Sequence, residues 1–506
     1  MPSTDYAYRR LVNTLGPERV ARSEFDRLVY TRDFGPFPRS AMMRWQVYPD
    51  FIVLPETTEE VSSIVKLSDE SGLQIVPRGG GTSWYGGVVP NRGGVLVDLR
   101  RMKDVRSFNP VGRSITVEAG ATWADLQQFV EGRGLTLPVV PTNAIASTLG
   151  GAINSGISGF GAPRNGSLEG AVSNLEVVLP DGRILHTAAP ADAGGGAADL
   201  TPFFIGAEGT VGIITAVSLR LVPKPDLAKA VAYTVPDLVG GARFLQAVCS
   251  AGLTTYHAGL IDKEHFVFER VLRKESPDPG HIVLACLQGT RDDVADQERA
   301  LDSLASSAKA TKRDAATADD LWARRFTNYS ARRLSRGLIV APAIVPLARL
   351  DDAVKEARSL IKKLRLNGAV QSYLVDSTSA MLAPYVLMDE TSASGGTAMG
   401  FAKKMGDAAF DLEGHPMGLG LFFVFNLRRM HGRAARYTEQ IKYTFDPGKK
   451  LNGGKTIEIW TKRQYPGLRS MPPAAMAAQL DLAAAVRRLK PRPDRFVRGY
   501  EAEKGE

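Results

Sequence analysis

Residues 77–87 read PRGGGTSWYGG, and this stretch decides the fold. Its three consecutive glycines permit positive φ angles and leave several backbone N–H groups unshielded by side chains. Such groups bind phosphate oxygens when they converge in a concave nest, and Arg78, Thr82 and Ser83 can add charge and hydroxyl donors. The segment is not a P-loop, because no Gly-Lys-Ser/Thr ends it, and it is not a Gly-x-Gly-x-x-Gly turn. A phosphate-binding loop and a simple structural turn are both open readings.

Two further segments of the same kind follow along the chain. Residues 148–156 read TLGGAINSG, and residues 206–215 read GAEGTVGIIT. Three segments with exposed backbone in one chain are more than would be expected if each were only a structural turn. A large planar cofactor with a pyrophosphate tail would need close backbone approach and little side-chain bulk at each of them. The three segments together therefore predict one extended cofactor site.

The order of predicted elements gives an α+β protein. Strands and helices alternate around glycines up to residue 225, as expected for an α+β unit with mixed sheets. From residue 226 to about 430, strand–helix–strand order recurs, which favours a second domain with an antiparallel sheet backed by helices. We expect a helical lead-in at 1–45, a cofactor domain at 46–225, a second domain at 226–430 and a C-terminal segment at 431–506.

Composition limits the class of protein. The net charge is +9, but the basic residues are scattered, so no nucleic-acid partner is expected. The densest basic run, 487–498, is either a solvated tail or a docking surface for an acidic partner. The two cysteines, Cys249 and Cys286, cannot ligate an iron–sulfur cluster. The sequence shows no signal peptide and no apolar run long enough to span a membrane, so a cytoplasmic protein is expected.

The ordered set of motifs resembles the FAD-linked oxidases with a para-cresol methylhydroxylase (PCMH) type of FAD domain, which include vanillyl-alcohol oxidase. Within that family, the chain is most similar to the branch with D-lactate dehydrogenase and the glycolate oxidase flavin subunit. The matching segments are 55–61, 76–82, 96–99, 148–154, 175–182, 206–214, 321–324, 445–447 and 451–455. The resemblance implies a PCMH-type FAD-binding domain of two α+β subdomains, and a substrate or cap domain whose antiparallel sheet is covered by helices.

The resemblance also assigns cofactor residues. The first segment would hold the pyrophosphate, the second and third would line the flavin and its ribityl or adenine portions, and the C-terminal motif would approach the isoalloxazine. The residues so assigned are Pro77, Arg78, Gly79, Gly80, Gly81, Thr82, Ser83, Thr148, Gly150, Gly151, Asn154, Gly156, Glu208, Gly209, Gly212, Ile213, Ile214, Asn452 and Lys455. Neither His nor Cys occurs in the loop 78–87, so noncovalent FAD is expected.

Catalytic roles are implied for three residues. Arg324 resembles the family's arginine near the substrate carboxylate, and a guanidinium is a bidentate clamp for such a group. A surface helix arginine is the other reading. His415 or Tyr329 would act as the base, with His431 as a further candidate. The other histidines, His186, His257, His265 and His281, read as strand or loop residues without a further signal.

The sequence departs from the hydroxy-acid branch of the family at its metal motif. That branch usually carries a His-x-Gly-Asp-Gly-Asn-x-His segment, but residues 366–390 contain no histidine. A later Glu-His-Gly segment survives only in the altered form EGHPMG at 413–418. One histidine cannot build a stable site for a divalent ion, so no metal is expected.

The expected activity is oxidation of a hydroxy acid like D-lactate or glycolate by hydride transfer to flavin N5. An external acceptor would then take the electrons, namely dioxygen, a quinone or an electron-transfer protein. Two alternatives stay open: oxidation of a phenolic or other alcohol, and a flavin electron-transfer subunit of a larger redox complex. We expect a homo-oligomer or a subunit of such a complex.

Overall fold

The computed structural model describes residues 4–36, 48–188, 198–273, 280–327, 329–390, 394–457 and 473–486. The basic run 487–498 lies outside these residues. The chain divides into two compact units. The first contains Met1–Ile157, Leu168–Pro223 and Gly418–Met476, and the second contains Ser158–Ser167, Lys224–Met417 and Ala477–Glu506.

The first unit contains two main sheets. One is mixed, and its strands lie in the order Val20–Ala21, Phe51–Val53, Val95–Asp98 and Ile75–Arg78. The first pair of these strands is antiparallel and the other two pairs are parallel. The other sheet is antiparallel, in the order Ile184–His186, Val172–Val178, Ile213–Arg220, Ser114–Glu118 and Val105–Asn109. The α+β class expected from the sequence is confirmed.

Polar side chains cap several helices of the first unit, and a glycine ends one of them. The principal ones are Thr4–Leu15, Glu24–Val29, Thr58–Ser71, Trp123–Glu131, Leu149–Ser155, Leu427–His431 and Ala435–Phe445. Thr57 caps its helix by accepting a hydrogen bond from the N–H of Glu60, and Gly72 ends that helix at a φ of 66°. Thr122 and Thr148 cap the next two helices in the same way. The polar cap of Thr148 thus starts a helix inside the second glycine segment.

A core cluster joins distant parts of the first unit. Leu11 and Leu15 from the N-terminal helix pack with Ile64 and Val97, and Leu451 contributes from the C-terminal part of the chain. Leu451 also forms a parallel bridge with Ile75 at the edge of the mixed sheet. The segment 450–452 is therefore fixed beside the strand that leads into the first glycine loop.

The second unit is built on an eight-stranded antiparallel sheet. Its strands lie in the order Thr311–Lys312, Leu227–Val235, His281–Gly289, His257–Ile261, Gln371–Leu374, Ser379–Leu382, Ala343–Pro346 and His415–Pro416. A three-stranded sheet contains Gly337–Val340, Tyr385–Met388 and Gly368–Ala369. The main helices are Leu238–Ser250, Lys263–Arg273, Arg291–Ser307, Ala315–Ala323, Leu350–Lys363 and Ser394–Asp411. The expected antiparallel sheet covered by helices is confirmed.

Candidate functional site

All three glycine segments line one cleft in the first unit. The cleft encloses about 680 Å³ of empty space, part of it open to solvent, which is within the range of small-molecule and cofactor sites. The expected cofactor residues that line it are Pro77, Arg78, Gly79, Ser83, Thr148, Gly150, Gly151, Asn154, Glu208, Gly209, Ile213 and Ile214. The cleft is also lined by residues that were not among the expected cofactor residues, namely Tyr85, Gly87, Val88, Leu99, Ala119, Ser155 and Gly418.

The missing side chains of the glycines let the segments approach each other closely. A Cβ on Gly79 would overlap the hydroxyl of Thr148, and one on Gly150 would lie 2.8 Å from the Cβ of Ala119. Gly209 has a φ of +68°, and a Cβ there would lie 2.8 Å from the ring of Pro77. Backbone from separate stretches of the chain therefore forms the walls, as a ligand with a long polar tail requires. The residues present fit FAD.

The remaining expected cofactor residues are not among those that line the cleft: Gly80, Gly81, Thr82, Gly156, Gly212, Asn452 and Lys455. The amide of Asn452 donates to the carbonyl of Gly87 at 3.0 Å and to that of Glu208 at 2.7 Å. Asn452 thereby ties the end of the first glycine segment to the third. Thr82 is held in a similar way, because the amide of Asn143 donates to its hydroxyl at 3.0 Å.

Arg78 braces the loop as well as lining the cleft. Its Nη1 donates to the carbonyl of Arg32 at 2.9 Å, and its guanidinium lies 5.3 Å from the centre of the Tyr30 ring. The same guanidinium occupies the space that a Cβ on Gly81 would need. Burial lowers the pKa of Arg78, and the charge of Asp33 opposes that effect.

Asp33 is a buried carboxylate that the sequence analysis missed. It accepts hydrogen bonds from the backbone N–H groups of Gly35 at 3.0 Å, Gly86 at 2.8 Å and Gly87 at 3.0 Å. Burial raises its pKa to about 6 despite these bonds. The residue thus fixes the end of the first glycine loop, although its position within the expected helical lead-in gave no such signal.

Glu208, in the third glycine segment, is a second carboxylate that fixes backbone beside the cleft. Its carboxylate accepts from the N–H of Leu419 at 2.9 Å, the N–H of Gly420 at 2.7 Å and the hydroxyl of Thr456 at 2.9 Å. Burial raises its pKa, and the three hydrogen bonds counter that rise. Glu208 therefore anchors the C-terminal part of the unit next to the cleft.

Lys455 is a buried amine beside these carboxylates. Its Nζ donates to the side-chain oxygen of Asn452. Burial lowers the pKa of Lys455 to about 7 from its ordinary 10.5, while the charges of Asp33 and Glu208 act in the other direction. The amine is therefore poised to change its charge near neutral pH.

This shift gives a pH-dependent stability. Between about pH 7 and 10 the unfolded chain keeps the Lys455 proton and the folded chain has lost it, so raising the pH favours folding. In FAD-free protein, we expect the unfolding free energy of the wild type to rise relative to Lys455→Met by about 1 kcal/mol per pH unit between about pH 7 and 9. Denaturant titrations at several pH values measure this difference.

Lys312→Met is the matched control for that experiment. Ion pairs raise the pKa of Lys312 above 10.5, so its difference from the wild type should stay flat over the same window. A difference for Lys455→Met that is equally flat would contradict the account of the buried amine.

Two of the predicted catalytic residues lie at the ends of one buried network in the second unit. Arg324 donates through Nη1 to Glu269 Oε2 at 2.9 Å and also pairs with Asp320. The other oxygen of Glu269 lies 3.8 Å from Nε2 of His265. Nδ1 of His265 is 2.8 Å from the hydroxyl of Tyr385. The ring of Tyr385 then lies 5.7 Å from that of Tyr329.

Burial shifts the pKa values of the two tyrosines and of the histidine in this network in opposite directions. Tyr329 is half-buried, and its partial burial raises the pKa of its phenol well above the ordinary value of 10. Burial likewise raises the pKa of Tyr385. Burial lowers the pKa of His265, and the charges of Glu269 and Asp262 oppose that effect.

The structure does not bring His415 to these residues. Its side chain is exposed on the edge strand His415–Pro416, paired with Ile344. Three strand spacings, or roughly 14 Å, separate that strand from Gln371–Leu374, which approaches the network at Gln371. His431, the other candidate, lies exposed at the end of the helix Leu427–His431 in the first unit.

Two further features were sought among the described residues, a metal site and a membrane-spanning helix. Within them, no group of three or more His, Cys, Asp or Glu side chains could hold a metal ion. No helix in the described part of the chain is long and apolar enough to cross a membrane.

Known proteins match both units. Residues 49–188 match the FAD binding domain model, and residues 224–456 match the model of the C-terminal domain of FAD linked oxidases. The glycolate oxidase subunit GlcD of Bacillus subtilis is 28% identical over 70% of this chain and 75% of its own length. The probable mitochondrial D-lactate dehydrogenase of Danio rerio is 29% identical over 81% of this chain and 85% of its own.

Solved structures share the fold. Para-cresol methylhydroxylase superposes with a TM-score of 0.78 at 16% identity, over 91% of this chain and 98% of that one. An alkyldihydroxyacetonephosphate synthase superposes with a TM-score of 0.70 at 20% identity, over 89% and 86%. One family model covers two of the glycine segments that line the cleft, and the other covers the antiparallel sheet of the second unit. The chain therefore belongs to the FAD-linked oxidases with a PCMH-type FAD-binding domain.

Proposed function

We propose that this protein oxidises a 2-hydroxy acid with noncovalently bound FAD. The observation that carries the proposal is the cleft whose walls are backbone from three separate glycine segments. The glycolate oxidase subunit and the D-lactate dehydrogenase among the relatives support a hydroxy acid as the substrate class. The residues that line the cleft include neither His nor Cys, which supports noncovalent binding.

The chain's own residues would hold the cofactor as follows. The first glycine segment and Arg78 would contact the pyrophosphate, and the segments around Thr148 and Glu208 would flank the rest of the molecule. Asn452 and Lys455 would act from the C-terminal side, where hydrogen bonds to the glycine loops already fix Asn452. Bound FAD would supply the hydride acceptor.

The second unit would bind the substrate. A carboxylate needs a cation, and Arg324 and Arg325 follow each other at the end of the helix Ala315–Ala323. Glu269 fixes the guanidinium of Arg324. The phenol of Tyr329 would donate a hydrogen bond to a substrate oxygen. We further propose a cytoplasmic enzyme that passes electrons to an external acceptor.

A second candidate function is the oxidation of a phenolic alcohol. A cluster of aromatic side chains in the second unit favours it, since Phe160 lies 5.4 Å from Trp322 and 5.5 Å from Phe326. Such rings would stack on an aromatic substrate.

Anaerobic mixing distinguishes the two functions. The purified flavoprotein is mixed with D-lactate, glycolate, D-2-hydroxyglutarate and a phenolic alcohol while the flavin absorbance near ~450 nm is followed. We expect hydroxy acids to bleach the flavin and the phenolic alcohol to leave it oxidised. Bleaching by the phenolic alcohol alone would replace the proposed function with the second candidate. An oxidised flavin with every substrate would favour an electron-transfer subunit.

A further inference from the structure

Lys455 is a buried lysine whose amine uses only part of its hydrogen-bonding capacity. The residue is 2% exposed. Its Nζ donates to the side-chain oxygen of Asn452, which is its only acceptor among the described residues. An ammonium group carries three N–H donors, and burying a charge without enough hydrogen bonds is costly. The amine is therefore suited to a ligand that supplies a further acceptor.

The two carboxylates near this amine are already engaged elsewhere. Glu208 and Asp33 each accept three hydrogen bonds from other groups of the first unit. Both charges act on the pKa of Lys455, but among the described residues neither carboxylate is hydrogen-bonded to Nζ. The positive charge of Lys455 is thus less fully paired than the negative charges around it.

Asn452 holds this amine beside a defined part of the cleft wall. Its amide donates to the carbonyl of Gly87 at 3.0 Å and to that of Glu208 at 2.7 Å, and both of these residues line the cleft. The side-chain oxygen of the same Asn452 accepts from Nζ. A lysine stem is flexible and its three donors rotate, so the remaining N–H groups can turn toward a ligand atom between Gly87 and Glu208.

This place differs from the proposed pyrophosphate site. The pyrophosphate would lie at Arg78 and the glycines that follow it, where a guanidinium already supplies positive charge, whereas Gly87 is at the other end of the same segment. FAD has a second part that becomes negative. When a hydride or another nucleophile adds to flavin N5, the electron pair moves to the N1–C2=O edge of the pyrimidine ring, and a charge near N1 tunes that chemistry.

We propose that the ammonium of Lys455 lies against the N1–C2=O edge of bound FAD and stabilises the negative charge that this edge gains when the flavin is reduced. This inference rests on the proposed function for the presence of FAD and deepens it, since it names the group that favours hydride transfer into the flavin. Asn452 is then a positioning residue that holds Nζ in place. A negative charge against the amine would also favour its protonated form, in opposition to the burial that lowers its pKa.

Sulfite tests this charge without any substrate. Its sulfur lone pair forms a bond to flavin N5, an electron pair of the ring moves to the N1–C2=O edge, and the absorbance near ~450 nm disappears. Titration of the FAD-loaded protein with sulfite at neutral pH gives the dissociation constant of this adduct. In Lys455→Met we expect the constant to rise roughly 10- to 100-fold, as loss of a buried charge-assisted hydrogen bond would give.

Two further variants distinguish the charge from the shape of the side chain. Lys455→Gln keeps an N–H donor but no charge, so it should lose sulfite affinity as Lys455→Met does, and it replaces that variant if the methionine does not fold. Lys450→Met is the matched control from the same segment, because Nζ of Lys450 pairs with Asp69 at the surface. It should bind sulfite like the wild type, since exposed pairs contribute little.

FAD affinity is measured separately in each variant. All proteins are desalted before the sulfite titration, so that only bound flavin contributes to the absorbance, and the stripped proteins are titrated with FAD. Because the oxidised pyrimidine ring is neutral, the loss of FAD affinity in Lys455→Gln should be smaller than its loss of sulfite affinity.

Several results would overturn this inference. They are an unchanged sulfite affinity in the Lys455 variants, an equal loss in Lys450→Met, and no sulfite adduct in the wild type. Loss of FAD from both Lys455 variants would also contradict it, because the amine would then serve to hold oxidised FAD. The proposed function is judged independently: if no hydroxy acid reduces the wild-type flavin, the sulfite results still stand, since the adduct requires FAD alone.

Discussion

Replacing Gly80 with alanine is expected to give a folded protein that loses FAD during purification. A Cβ at this position would overlap the carbonyl oxygen of Ala146, which is backbone and cannot rotate away. Either the first glycine loop or the chain leading into the Thr148 cap must therefore shift. Overpacking of this kind costs about 1–3 kcal/mol, so FAD should bind roughly 10- to 100-fold more weakly. The flavin absorbance per chain of the purified variant, and an FAD titration of the stripped protein, measure the effect.

Gly132→Ala is the control for that experiment. Gly132 belongs to the same unit and has an ordinary φ of −63°. A Cβ there would meet only the carbonyl oxygens of Gln128 at 3.7 Å and Phe129 at 3.9 Å, which are normal contacts. This variant should retain wild-type FAD. Full FAD content in Gly80→Ala would mean that the close approach of the two segments has no part in cofactor binding.

Replacing Lys442 with methionine is expected to be the most destabilising single change of a charged residue proposed here. Nζ of Lys442 donates to the carbonyl of Thr210 at 2.5 Å, to the carbonyl of Leu451 at 2.8 Å and to Asp446 Oδ2 at 2.5 Å. The Lys442 and Asp446 side chains are only 5% and 4% exposed. Removing one partner of a buried pair leaves an uncompensated charge and costs about 3–5 kcal/mol. Chemical denaturation should show this loss, together with weaker FAD retention, because Thr210 belongs to the third glycine segment.

Lys312→Met is the control that distinguishes the effect of burial from the effect of losing an ion pair. Lys312 also pairs with two carboxylates, Glu298 at 2.8 Å and Asp302 at 2.8 Å, but its side chain is 38% exposed. Exposed pairs contribute about 0–1 kcal/mol, so this variant should stay close to the wild type. Similar losses in the two variants would show that burial does not govern the energetics of Lys442.

Local chemistry predicted much of the fold. Thr57 and Thr122 each accept a hydrogen bond from the first turn of the helix that follows, and Gly72 ends its helix in the left-handed conformation that glycine favours. The Pro-Asp-Gly sequence at 180–182 is typical of a turn, and Ile184–His186 pairs antiparallel with Val172–Val178 across it. These features depend on neighbours within a few residues, and the sequence displays such neighbours directly.

Tertiary pairing was less visible in the sequence. Pro342 lacks an N–H for a ladder, and the apolar run 338–345 divides there into two strands of different sheets. Asp33 and Gly418 approach the first glycine loop from far away in sequence. The sequence showed His257 as an ordinary strand residue, because only the packing around it reveals that its buried Nδ1 has no hydrogen-bond partner among the described residues. The glycine segments could be predicted from composition, whereas these contacts depend on the folded structure.

Uptake of FAD by protein stripped of its cofactor tests directly whether the three glycine segments bind FAD. Calorimetric titration of the stripped chain should show stoichiometric binding, restore the yellow flavin spectrum and raise the Tm, since a ligand that binds only the folded state stabilises it. A stripped chain that binds no FAD, and whose Tm is the same with and without it, would contradict the claim that the three glycine segments form a cofactor cradle.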